Sequence, residues 1–210
     1  MAQEELWPNF ALKIGKQQRE IYIVDDFLGA GAIEDIYRQF LAFPYVLGGS
    51  DRSDTTHVRH LLRTFDLKEL EADTPLAHFA QFVRRFLDAN QLDSGPVSSL
   101  SANFNRHGDY QFIHEDGPCW TSLFFVNAQW KEDWGGELLL YGDKSSDPAY
   151  AVFPKPGRLC IFDGRIPHRG GSPSRHCFEP RISLAIKFDR PSETERDRTL
   201  VDALPGDARA

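Results

Sequence analysis

From Ser98 onward the chain breaks into short apolar runs separated by Gly, Pro, Asp and Asn, and this texture narrows its folding options more than any other feature. The runs fall at 100–105, 110–114, 122–127, 137–141, 151–153, 158–162 and 181–188. Segments so short, with turn residues between them, are strands rather than helices, and their number and spacing suit an antiparallel two-sheet jelly roll.

The preceding part has a different rhythm. Glu20 to Val24 is β-branched and aromatic, which predicts a strand ended by Asp25 and Asp26. Gly29 and Gly31 open like a dinucleotide fingerprint, but Glu34 stands where its third glycine is needed, so that reading is rejected. Ile33, Ile36, Tyr37, Phe40 and Leu41 form the stripe of an amphipathic helix that Pro44 stops. Residues 48–56 are small and polar and read as a loop, followed by a strand over 57–63 whose two His and two Arg could face a substrate. Thr74 and Pro75 supply an N-cap and a first-turn proline for a second helix, with Leu76, Phe79, Val83, Phe86 and Leu87 as its buried face and an end near Asn90.

These pieces predict a single α+β domain: a helix and strand support region over 1–97, a jelly-roll core over 98–190, and a charged C-terminal extension over 191–210. The formal net charge of -7 gives no general attraction to nucleic acid or to an anionic membrane, so neither is expected as a partner. No apolar run reaches membrane-spanning length and the first residues lack a signal-peptide pattern, so the cytoplasm is the expected compartment. Cys119, Cys160 and Cys177 cannot all pair and show no C-x-x-C spacing, which leaves them as reduced, buried thiols.

The chemistry gathers around His114-Glu115-Asp116. On an extended backbone residues i and i+2 share a face, so the imidazole and the carboxylate can converge on one point. With one more imidazole, for which His168 is the candidate, they would complete the 2-His-1-carboxylate facial triad that binds Fe(II) and leaves positions open. Alternation also sets Arg181 and Ser183 on one strand face, against Ile182, Leu184 and Ile186 on the other. A buried guanidinium needs an anion, either a ligand carboxylate or an internal acid such as Glu137 or Asp163. The paired Gly135 and Gly136 open a further strand between these elements.

The order H-x-D, Gly-Gly-Glu strand, distal His and R-x-S, over 100–188, resembles the 2-oxoglutarate and Fe(II)-dependent dioxygenases, nearest their prolyl-hydroxylase-like branch. The resemblance implies a double-stranded β-helix (jelly roll, cupin-like) core backed by N-terminal helices. It implies Fe(II) on His114, Asp116 and His168, with O2 and 2-oxoglutarate as cosubstrates. Arg181 and Ser183 would hold the distal carboxylate of 2-oxoglutarate, with Asn105 of Asn105-Arg106-His107 beside it. Two departures stand out: His107 replaces a tyrosine in that tripeptide, and Phe125 lies where relatives place a hydroxyl. A carboxylate at Asp116, rather than a small residue, points to hydroxylation instead of halogenation.

The resemblance thus implies hydroxylation of a C–H bond coupled to conversion of 2-oxoglutarate to succinate and CO2. A small molecule, such as an amino acid or a natural-product intermediate, is the favoured substrate; a prolyl or other protein residue is the alternative. A cupin-like metalloenzyme, or a binding module without 2-oxoglutarate, is the rival outside the class. The sequence leaves the oligomeric state open, and expects residues 48–56 and 172–180 to close over the substrate.

Overall fold

Alternation along the last strand sets the layering of the computed structural model, which describes residues 8–190 apart from 27, 29, 72 and 144–146. In β11 (Arg181–Asp189), Ile182, Leu184, Ile186 and Phe188 enter one hydrophobic cluster, while Ala185 on the opposite face enters a second. The first cluster also takes Phe40 of α1 (Ala30–Ala42) and Leu76, Phe79, Val83, Phe86 and Leu87 of α2 (Pro75–Ala89). The second lies between two sheets.

The larger sheet has eight strands in the order β1-β2-β9-β6-β11-β5-β4-β3. Its members are β1 (Phe10–Ile14), β2 (Arg19–Val24), β3 (Val46–Gly49), β4 (His60–Thr64), β5 (Val97–Asn105), β6 (Cys119–Phe125), β9 (Leu159–Asp163) and β11. The smaller sheet runs β10-β7-β8, from β7 (Leu138–Tyr141), β8 (Pro148–Val152) and β10 (His168–Gly170). All the pairings are antiparallel, and the sandwich is consistent with a jelly roll.

The second helix starts as its sequence dictates. Thr74 caps it by accepting a hydrogen bond from the Ala77 backbone N–H at 3.1 Å, Pro75 follows, and Asn90 is the C-cap. In α1, Ile36, Tyr37 and Phe40 pack inward, but Leu41 stays 43% exposed, so the buried stripe is narrower than its spacing implies.

Several boundaries differ from expectation. The run 110–114 is not a strand: it is irregular, and its backbone pairs with β10 through an isolated bridge between His114 and His168. Phe112 N–H, which a strand would give to a neighbouring strand, is taken by the Asp51 carboxylate at 2.7 Å. The strand expected over 57–63 begins at His60, after a turn. The polar segment 48–56 contains the end of β3 and a short 3-10 turn at Ser53–Thr55. Two edge elements escaped the pattern, β1 and β3, because half-exposed edge strands carry little apolar periodicity. The C-terminal extension over 191–210 lies outside the described residues. All three cysteines are buried and free, and no helix among the described residues is long and apolar enough to cross a membrane.

Candidate active site

His114, Asp116 and His168, 54 residues apart at the extremes, are brought together at one end of the sandwich, their ligand atoms all within 4.8 Å of one another. Backbone pairing does this. His114 and His168 exchange N–H to carbonyl hydrogen bonds of 3.0 and 2.9 Å, and Asp116 N–H donates to Gly164 O at 2.7 Å. Asp116 Oδ1 is 3.7 Å from His114 Nε2, and Oδ2 is 3.5 Å from His168 Nε2.

The surrounding hydrogen bonds choose which atoms face the centre. Nδ1 of His114 lies 2.9 Å from Phe112 O and Nδ1 of His168 lies 2.8 Å from Ile166 O. A carbonyl accepts only from a protonated nitrogen, so each ring carries a proton on Nδ1 and turns Nε2 inward. Burial lowers the His168 pKa to about 4, against the pull of Asp116, so this imidazole is neutral at ordinary pH. Burial pushes the Asp116 carboxyl up, but His168, Lys187 and Thr121 outweigh it and hold it below the usual carboxylate range. Two imidazole nitrogens and one carboxylate are the donor set that Fe(II) takes with positions left open.

A cavity of about 340 Å³ opens beside these residues and reaches Arg181 and Ser183. Arg181 is 2% exposed. Its Nε donates to Gly136 O at 2.6 Å, Nη1 reaches Ser183 Oγ at 3.5 Å, its guanidinium carbon lies 5.1 Å from the centre of the Phe125 ring, and Nη2 has no hydrogen-bond partner. Gly136, at φ +80°, permits that approach, because a Cβ there would stand 3.0 Å from Arg181 Cδ. Neither internal acid neutralises the arginine among the described residues. Asp163 pairs with Arg165 and Arg190, while Glu137 makes no ion pair with Arg181 and only its more distant charge opposes the effect of burial, which lowers the Arg181 pKa to about 10. A buried cation without an ion-pair partner is costly, and the cavity it faces has room for an anionic ligand.

Asn105, the last residue of β5, is the register partner of Arg181, and both its side-chain polar atoms are buried without a hydrogen bond. His107 turns away from the cavity to Pro173 O at 3.0 Å. Of the polar residues in 57–63, only His60 lines the cavity, with Nδ1 4.0 Å from Asp51 Oδ1; Arg63 instead covers the rings of Phe43 and Phe65. Among the cavity residues missed from sequence are Gln111, Thr121 and Lys187. Lys187 was legible, since the alternation that pairs Arg181 with Ser183 also puts residue 187 on that face.

A sequence model of the 2OG-Fe(II) oxygenase superfamily matches residues 97–188, the stretch that carries the triad and Arg181. Residues 97–188 belong to the 2OG-Fe(II) oxygenase superfamily. The oxygenase chain is 26% identical, over 89% of its length, to a hypoxia-inducible factor prolyl hydroxylase of Caenorhabditis elegans, of which it spans 28%. Its fold matches a prolyl-4-hydroxylase of Pseudomonas putida at TM-score 0.61 and 18% identity, covering 81% of this chain and 92% of that one. It also matches a prolyl hydroxylase from Trichoplax adhaerens, solved with a hypoxia-inducible factor peptide, at TM-score 0.61 and 18% identity, covering 85% and 86% of the two chains. At 18% identity these two structures share the fold with this chain.

Proposed function

We propose that this protein is an Fe(II) and 2-oxoglutarate-dependent dioxygenase that hydroxylates a prolyl residue in a peptide or protein. The observation that carries the reaction class is the His-Asp-His cluster facing the same cavity as a buried arginine with no ion-pair partner among the described residues. In this reading His114 Nε2, Asp116 and His168 Nε2 hold the iron, and Arg181 with Ser183 takes the distal carboxylate of 2-oxoglutarate, with Asn105 beside them. When bound, Fe(II) and 2-oxoglutarate supply the activation of O2 that oxidises a substrate C–H bond and leaves succinate and CO2.

The chain's own residues position and shield. The carbonyls of Phe112 and Ile166 fix both rings by accepting from Nδ1, and Thr121 and Lys187 fix the carboxylate from its two sides. Leu123, Leu138 and Phe162 give the cavity an apolar wall that limits water near the reacting centre. A cupin-like enzyme without 2-oxoglutarate leaves Arg181 unexplained.

A small molecule is the substrate that the sequence reading favours. The relatives above are named for prolyl hydroxylation, and they support the alternative instead. The test is a screen of proline-containing peptides, free proline and other amino acids with iron, 2-oxoglutarate and O2, following succinate and the mass of each substrate. Succinate formation with one added oxygen on a prolyl residue is expected. Oxidation of a free amino acid only would return the reading to a small molecule, and absence of succinate with every substrate would remove the class.

A further inference from the structure

The cavity near Arg181 contains a hydrogen-bond donor that no role above uses. Gln111 is 9% exposed and lies three residues before His114. Its Oε1 accepts from the Gly170 backbone N–H at 2.9 Å. A backbone N–H can only donate, so the amide is fixed with oxygen toward Gly170 and Nε2 turned the other way. That Nε2 carries two N–H groups and makes no hydrogen bond among the described residues, although the residue lines the cavity. Gly170 places it beside the arginine. A Cβ on Gly170 would collide with Gln111 Oε1 and lie 3.5 Å from Arg181 Nη1, so amide and guanidinium flank the same glycine.

The needs of a bound carboxylate exceed what Arg181 offers. A carboxylate presents about four acceptor sites on its two oxygens. Arg181 has already given Nε to Gly136 O and directs Nη1 toward Ser183 Oγ, and Phe125 contributes only its ring face. In a buried site each acceptor left without a donor weakens binding. We propose that Gln111 is a further cosubstrate-binding residue whose Nε2 donates to the same distal carboxylate as Arg181. This rests on the 2-oxoglutarate reading above.

Gln111 also ties the irregular segment before His114 to β10, so a test has to separate donation from bracing. Gln111→Glu does so: it keeps an oxygen for Gly170 N–H and replaces the Nε2 donor with an acceptor. Binding of 2-oxoglutarate and of 2-oxobutyrate, which lacks the distal carboxylate, is measured by calorimetry on the iron-loaded protein under nitrogen. Gln111→Glu is expected to weaken 2-oxoglutarate by about tenfold or more while leaving 2-oxobutyrate within about threefold. Gln111→Met should weaken 2-oxoglutarate in the same selective way. Equal weakening of both ligands in Gln111→Glu means that the residue only braces the segment and overturns the proposal, as does unchanged 2-oxoglutarate affinity. A wild type that does not bind 2-oxoglutarate, or an Arg181→Gln variant that binds it as well as wild type, overturns the parent reading and this inference with it.

Discussion

The Lys187 ammonium stands 2.6 Å from Asp116 Oδ1, while the Thr121 hydroxyl donates to Oδ2 at 2.6 Å, so both oxygens of the cluster's carboxylate are engaged. A divalent ion drawn to Asp116 therefore meets a positive charge already resting on it. Two such charges about 5 Å apart repel by roughly several kcal/mol at an effective dielectric near 20, and solvent at the partly exposed lysine reduces this. Lys187→Met is expected to tighten metal binding by about tenfold, whereas Lys187→Arg leaves it near wild type. Anaerobic titration with Co(II) or Fe(II) reads the change. Weaker binding in Lys187→Met would instead make the lysine an orienting contact for the carboxylate.

Arg181 should separate stability from binding. Its guanidinium is buried with no ion-pair partner, so removing it relieves a desolvation penalty rather than stranding an opposite charge. Arg181→Met is expected to melt at the wild-type temperature or above while losing about 30-fold or more in 2-oxoglutarate affinity. Thermal scans and calorimetry on one preparation check both. A strongly lowered melting temperature would show that the arginine is structural.

His168→Ala removes one metal donor and the Nδ1 hydrogen bond to Ile166 O, but keeps the backbone bridge to His114. Metal affinity should fall by about 100-fold or more while the fold persists. Circular dichroism together with metal titration tests this, and undiminished affinity would remove His168 from the donor set.

Away from the site, Arg158 holds Asp25 through Nε to Oδ1 at 2.8 Å and Nη2 to Oδ2 at 2.9 Å, clamping the end of β2 to the start of β9. Hydrogen bonding from Arg158 lowers the Asp25 carboxyl below its ordinary value, against the upward push of burial and with help from Lys155. A carboxylate with a depressed folded pKa gives stability that is present above its unfolded value near 4 and is lost as pH falls through the folded one. Asp25→Asn should thus cost about 1 kcal/mol at pH 7, a few degrees in melting temperature, and less at a pH well below 4. A deficit of the same size at both pH values would assign it to something other than the ion pair.

The core strands and α2 were legible because burial imposes a period on them. β11 alternates cleanly, and Thr74-Pro75 fixes a helix start by local chemistry alone. The triad was legible for a different reason, since an H-x-D pair and a distal His are recognised by residue type even though 110–114 is not the strand that the spacing argument assumed. His114 and Asp116 converge because each is pinned separately, one to His168 and the other to Gly164. Such pinning leaves no trace in a one-dimensional pattern. Gln111 and Thr121 stayed hidden likewise: their partners are a backbone N–H and a carboxylate, which only the folded chain brings near.

The bridge between His114 and His168 gives the metal centre a mechanical part as well as a chemical one. Asp116 hangs from the end of β9 in the large sheet, and His168 begins β10 in the small one, so an ion shared by the two would rivet one rim of the sandwich. Arg52 extends the same rim outward, donating to Ile113 O at 3.2 Å, while Asp51 holds Phe112 N–H. Chelation should then open the molecule like a book from that rim. Amides at 112–116 and 168–170 would exchange first, while those of β11, paired on both sides with β5 and β6 inside the large sheet, would stay protected.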